Sequence, residues 1–277
     1  WGNFMGGAFA WNVAEESFLK GNETLSSLKL RVGYGTTGQQ DISAQYDYLR
    51  RVTLGTVNTQ YVFNGVVYRT ARPEGYNQNI KWEELAEMNV GVDFGFLNDR
   101  ITGTLNYFDK KSTDLLADVL VPDGANLRNQ GFNNIGNLRT KGLEFSLQSD
   151  IIKKDNLTWN VAVNATYLDQ KIADLGQTVP GFEGYAVGDA IKGGNGNKIL
   201  INTVGYAPNS FFVYEQLYDA NKKPIAGAYV DRNGDGKIDD GDRYRYKKPT
   251  ADYTFGLFST LNYKKFDFTM NWRASLG

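Results

Sequence analysis

Cysteine and histidine are both absent from this 277-residue sequence. Their absence excludes a Cys/His zinc site, a Ser-His-Asp or Cys-His nucleophile and any disulfide framework. Proline is scarce at 6 residues and methionine scarcer at 3. Basic and acidic side chains nearly cancel, 30 against 31. A net charge of −1 lacks the basic excess of a domain that grips nucleic acid. Long apolar runs are also missing. Those present are short, such as Leu115-Leu116 and Val119-Leu120-Val121, against the ~20 residues a membrane helix requires. Taken alone, these deficits describe a soluble chain.

What the sequence does hold points elsewhere. Aromatics make up 14%, with 5 Trp, 17 Tyr and 16 Phe, beside 31 Gly. Many aromatics, glycines and asparagines with few prolines suit long strands joined by polar loops. The sequence opens at Trp1 and stops at Gly277 inside a strand-like run, with no charged and apolar leader. It reads as an internal stretch of a longer chain, so missing targeting signals carry no weight.

The dominant periodicity is two. Residues 28–35, 88–96, 157–167 and 266–275 alternate cleanly, and weaker copies lie at 8–13, 101–108, 143–148 and 253–263. One face of these runs is apolar except at Gly103 and Ser259. The other is polar except at Ala8, Ala10, Phe108, Ala162 and Phe258. A helix, with its period of about 3.6, cannot produce that pattern. Several runs reach the ~9–11 residues that a tilted strand needs to cross a bilayer. The apolar face, expected to meet lipid, includes Leu30, Val32, Val90, Val92, Phe94, Leu105, Phe145, Val161, Val163, Leu257, Phe268 and Met270. The polar face, expected to line a wet lumen, includes Arg31, Asn89, Asp93, Asn106, Glu144, Asn160, Asn164, Asn271 and Arg273.

Connections alternate in length. Short links occur at 97–100, 149–156 and 264–265, with a somewhat longer one at 14–27, while long segments span 36–82, 109–137 and 168–252. Short turns on one side and long loops on the other are the pattern of outer-membrane barrels, whose loops face outward. Apolar-face aromatics also divide into two bands. Tyr34, Tyr107, Tyr167 and Tyr253 lie near the loop ends, and Phe96, Trp159, Tyr263 and Phe266 near the turn ends. The predicted fold is all-β: part of a large antiparallel transmembrane β-barrel with about eight to ten strands present and long extracellular loops. The competing arrangement is an aromatic-rich soluble sandwich.

One motif carries ligand chemistry. Residues 231–242 fit D-x-N-x-D-G-x-I-x-x-x-D. Asp231, Asn233 and Asp235 would converge on a calcium ion, with the Lys237 carbonyl, Asp239 through water, and Asp242 completing the shell. Asp242 stands where an EF-hand has a longer Glu, and flanking helices are not evident, so a solvated turn competes with a lone calcium loop. Calcium is the one candidate ion, and no cofactor is required. Gly33, Gly35 and Gly38 match G-x-G-x-x-G, but no helix is expected to open there, as a dinucleotide site demands. The glycine-rich run at 193–197 lacks the Lys-Ser/Thr ending of a phosphate loop and reads as loop. The pairs Glu15/Glu16 and Glu83/Glu84 are sequence neighbours, so on a strand they point to opposite faces and cannot act as acid and base. Tyr46, Tyr48, Arg50, Arg51, Tyr61, Tyr68 and Tyr76 could stack on sugar rings or grip peptides, or could pack within their loop.

An ordered set of segments supplies a resemblance. It comprises LKLRVGYGTTG at 28–38, KWE at 81–83, NVGVDFGFLNDR at 89–100 and TDLL at 113–116. NIGNLRTKGLE at 134–144, NSFFVY at 209–214, YVDRNGDGKID at 229–239 and RASLG at 273–277 follow. In that order the chain resembles the C-terminal barrel region of SusC/RagA-type TonB-dependent outer-membrane transporters. The resemblance implies that residues 1–277 form part of one barrel domain, 22-stranded in the intact family, with the plug domain and the terminal strands absent. It implies TonB-dependent import of oligosaccharides or peptides, without enzymatic activity. The implied partners are a SusD-like surface lipoprotein, the TonB complex through a missing N-terminal segment, the lipid bilayer and the substrate; nucleic acid is not among them. Two alternatives stay open: a soluble calcium-dependent carbohydrate-binding β-sandwich, and a siderophore or vitamin receptor of another TonB-dependent branch. The 209–242 segment favours the SusC-like branch over the latter.

Overall fold

The computed structural model describes residues 2–39, 46–120, 130–176, 181–191 and 197–277. Eight strands form one continuous sheet in which sequence neighbours are also spatial neighbours. They are β1 (Gly6–Asn12), β2 (Leu25–Gln39), β3 (Glu83–Phe96), β4 (Ile101–Thr113), β5 (Asn137–Lys154), β6 (Leu157–Asp174), β7 (Tyr253–Tyr263) and β8 (Phe266–Leu276). Every adjacent pair is antiparallel. This up-and-down order is what direct, short links require.

The strands outrun the alternating segments that announce them. β5 and β6 each have 18 residues, about 60 Å of chain at ~3.3 Å per residue. That is roughly twice the ~30 Å hydrocarbon core. The expected loops at 36–82, 109–137 and 168–252 therefore begin inside strand, while their far ends meet the next strands at Glu83, Asn137 and Tyr253. The expected link at 149–156 is also corrected. β5 continues to Lys154, with a register shift between Asp150 and Ile152, and only Asp155-Asn156 turns the chain. The signal faded because the bulge breaks the alternation that marks a strand.

The sheet is a single layer, not half of a sandwich. Among the described residues, few apolar side chains are buried: Val13, Phe108, Ile172, Ile201 and Phe212. Apolar-face side chains stand in the open, with Phe9 at 67%, Phe268 at 62% and Trp272 at 56% exposure. No second sheet covers that face among the described residues, which overturns the soluble-sandwich alternative. The G-x-G-x-x-G run lies entirely within β2, so its glycines extend a strand and open no helix.

The long connections carry small structures of their own. Val52–Leu54 pairs with Ala71–Pro73, Gln60–Phe63 with Val66–Arg69, and Leu116–Leu120 with Gln130–Asn134. The third connection holds a four-stranded sheet of Tyr185–Val187, Leu200–Asn202, Ser210–Val213 and Tyr244–Arg245. It is tied to the top of β6 by backbone hydrogen bonds between Ile172 and the turn at Gly205-Tyr206, each 2.8–2.9 Å.

Glycines relieve crowding on both faces. The Phe94 ring lies across Gly103, and the Phe108 ring lies across Gly142. A Cβ on Gly142 would sit 2.4 Å from that ring and 2.7 Å from the Tyr167 carbonyl oxygen, which cannot swing away. Gly142→Val should destabilise the sheet by ~1–3 kcal/mol through overpacking. A lower urea midpoint for the intact protein in detergent micelles is the expected reading.

Candidate functional site

The cross-strand register assembles the polar residues into rows. One row runs Arg31, Gly91, Asn106, Glu144, Thr166, Thr254, Ser275 across seven strands. The next runs Lys29, Asp93, Thr104, Ser146, Asn164, Gly256, Arg273. Asn89, Asn160 and Asn271 share this face at other heights. All nine residues expected on the polar face therefore lie on one side of the sheet.

Small residues let long ones lie flat there. Arg31 donates to Asp93 twice, Nε to Oδ2 at 2.7 Å and Nη2 to Oδ1 at 2.8 Å. The guanidinium rests over Gly91, where a Cβ would meet Nη2 at 2.8 Å. Asn106 Nδ2 donates to Glu144 at 3.3 Å, and Asn160 Nδ2 donates to Asp150 at 2.9 Å. Thr104 and Ser146 share a 2.8 Å hydroxyl contact, and Asn164 folds over Gly256. Such a surface is charged, hydrogen-bonded and wettable along its whole width.

The opposite face carries the apolar set. Leu30, Val92, Leu105 and Phe145 form one row, and Val32 pairs with Val90 in the next. Phe94, Val163 and Leu257 lie in a third, Val161 and Met270 flank Ser259 in a fourth, and Phe268 opposes Leu261. Ser259, a polar interruption in the pattern, accepts the Trp159 indole N–H at 2.9 Å. The tyrosine band is continuous in space: Tyr107, Leu143, Tyr167 and Tyr253 are register partners. The Tyr167 and Tyr253 rings lie 5.1 Å apart.

The 231–242 loop is organised around its own backbone. Asp231 accepts N–H bonds from Gly234 at 2.7 Å and Gly236 at 2.8 Å. Asn233 accepts from Asp235, and Asp235 accepts from Lys237. Asp239 caps the following turn through Gly241. Asp242 is fully buried and accepts from Arg232, Asn233 and Asp239. The Asp239 N–H, seconded by those of Arg232 and Asn233, holds its carboxyl below the ordinary carboxylate range against the opposing effect of burial. Among the described residues, no group of three or more acidic side chains is arranged to hold a metal ion.

Other candidates pair within their loops. Arg50 lies 5.0 Å over the Tyr76 ring, Tyr61 stacks on Tyr68 at 5.4 Å, and Arg51 is ion-paired to Asp47. Tyr46 and Tyr48 remain exposed. Glu16 accepts the Trp11 indole N–H, and Glu83 accepts the Leu116 N–H, so these acids act structurally. The glycine-rich run at 193–196 lies outside the described residues. Sequence reasoning missed the packing of the four-stranded loop sheet, where Arg243 and Arg245 flank the buried Phe212 ring at 4.8 and 5.1 Å. The alternation Arg243-Tyr244-Arg245-Tyr246 was its visible signal.

An eight-stranded single-layer sheet with an apolar face, a polar face and two aromatic bands is the wall of an outer-membrane β-barrel. Residues 7–277 match the family described as TonB dependent receptor-like, beta-barrel, and the chain belongs to that family. It is 45% identical to the TonB-dependent receptor SusC of Bacteroides thetaiotaomicron, over 100% of this chain and 28% of that protein. TonB-dependent receptor P3 of Formosa agariphila is 32% identical over 99% of this chain and 28% of its own length. The fold matches the structure of the RagAB peptide transporter with a TM-score of 0.76 and 22% identity, covering 98% of this chain and 29% of that one. The chain thus spans under a third of these relatives.

Because the Asp242 carboxyl is held low by N–H groups, its contribution is full above the ordinary carboxylate range. It is lost as pH falls through the lowered value. Amide protection of Arg232, Asn233 and Asp239, corrected for intrinsic exchange, should hold at neutral pH and fall in acid below about pH 4. Asp242→Ala should remove it at every pH.

Proposed function

We propose that this chain is part of the wall and outer mouth of a TonB-dependent importer for oligosaccharides or peptides. The observation that carries this reading is the division of one sheet into a polar face and an apolar face, each interrupted at only a few positions. The polar rows would line the passage, and the apolar rows would meet lipid. The connections at 40–82, 114–136 and 175–252 would form the extracellular mouth and meet a SusD-like surface lipoprotein. Energy would come from the TonB complex through a segment that this chain does not include, and the eight strands would be part of a 22-stranded barrel. The work is passage, with no catalytic step. The RagAB structure, similar in fold, is that of a peptide transporter; the oligosaccharide class rests on the SusC-type resemblance alone.

Calcium binding by the 231–242 loop is a separate proposal. It rests on the order of oxygen-bearing residues and on the turn already wound around Asp231. Calorimetric titration of the folded protein should release or absorb heat at or below millimolar calcium, and a flat trace would remove the ion.

The face assignment has a direct test in the intact protein. Val92→Arg or Val163→Arg should cost ~2–4 kcal/mol on the lipid side, while Asn164→Arg should cost little. Equal losses at both faces, measured by equilibrium unfolding in lipid vesicles, would sink the assignment. Growth of a deletion strain on defined glycans and peptides would identify the substrate.

A further inference from the structure

Above the tyrosine band, the apolar face changes character. On β4 the outward positions after Tyr107 are Asp109 and Lys111; on β5 those before Leu143 are Lys141 and Arg139; on β6 those after Tyr167 are Asp169 and Lys171. The register aligns them into two rungs. The first is Asp109, Lys141, Asp169, with alternating charge. The second is Lys111, Arg139, Lys171: three cations directly opposite one another on adjacent strands.

Like charges facing each other across strands are destabilising. The acids of the first rung offset part of this. Arg139 pairs with Asp109 at 2.6 Å, and Lys171 with Asp169 at 3.1 Å. Both cations nevertheless keep more than half of their side-chain surface open, 52% and 58%. A cleft of about 260 Å³ opens beside Lys171 and adds Arg245, Lys247 and Lys248 to its lining. Asp169 lines the same cleft, and Arg245 and Lys248 are ion-paired to Glu183 and Asp252, so the row itself carries most of the exposed positive charge, on a protein whose total charge is nearly balanced.

Height fixes the partner. Interfacial tyrosines sit at the level where hydrocarbon gives way to headgroups. The two rungs lie two and four residues further out, roughly 7 and 13 Å along the strand. We infer that the row Lys111, Arg139, Lys171 docks the phosphate-bearing headgroup of the outer-leaflet glycolipid, which fastens the barrel to the surface of its own membrane. Adjacent strands set these cations about 4.8 Å apart, close enough for one anionic headgroup to touch more than one of them. This inference rests on the proposed assignment of the apolar face to lipid.

The test uses the intact transporter in detergent, with diphosphoryl lipid A and its dephosphorylated counterpart as probes, read by native mass spectrometry. The diphosphoryl form should be retained preferentially. Lys111→Gln/Lys171→Gln, which leaves the Arg139–Asp109 pair in place, should weaken retention by about five-fold per cation removed. Adding Arg139→Gln should weaken it further. Heat-modifiable migration on gels reports whether each variant keeps its barrel, and if the triple variant loses it, the double variant decides. Equal retention of both probes, or no change in the folded double variant, would overturn the inference. So would full competition by millimolar inorganic phosphate, which would mark an adventitious ion only. Loss of lipoprotein capture with glycolipid retention intact would reassign the row to a protein contact. Failure of the face assignment reads differently, as equal penalties for Val92→Arg and Asn164→Arg.

Discussion

A peptide group in hydrocarbon has no water to bond, so each strand of a membrane sheet must satisfy its N–H and C=O groups laterally, on its neighbours. Lateral satisfaction demands long, in-register, antiparallel strands, and this sheet supplies seven such pairings in a row. The register then fixes everything else. Since successive side chains alternate between faces, a one-residue slip anywhere would turn polar Arg31 or Asn164 toward lipid and Val92 or Val163 toward water. The sorting of side chains and the backbone ladder therefore enforce each other.

That constraint also explains the polar face. A polar face is wettable, yet charged groups on a strand need partners close by. Arg31 and Asp93 solve this diagonally across one strand boundary, with Gly91 removed from the space between them. Asn164 over Gly256 repeats the device farther along. Glycine serves here less as a flexible hinge than as a missing side chain, and the same economy on the other face seats Phe94 over Gly103.

The faces were legible in the sequence because parity is a local property. The alternating runs fall on strands, where the two sets of residues take opposite sides of the sheet; Val13, at the end of the 8–13 run, instead opens a short 3-10 turn. The strand ends were not legible, for a physical reason. Alternation is visible only while one face meets hydrocarbon. Beyond Tyr107, Leu143 and Tyr167 the outward positions turn charged while Phe108, Leu138, Leu168 and Ile172 stand on the other face, so the pattern disappears although the hydrogen-bonded ladder continues to Thr113, Asn137 and Asp174. The 231–242 motif was legible as a turn, in which Asp231, Asn233, Asp235, Asp239 and Asp242 each accept backbone N–H groups. The packing of Arg243 and Arg245 around Phe212 showed only through the local alternation at 243–246, since the partners it joins are distant in sequence.

The 18-residue length of β5 and β6 has a mechanical meaning. A strand that continues well past the bilayer is a rigid stilt, and the third connection is bolted to it at Ile172. That connection is thereby mounted on the wall and not on the membrane surface. If the bilayer thins, thickens or bends, it keeps its distance and orientation relative to the sheet below it.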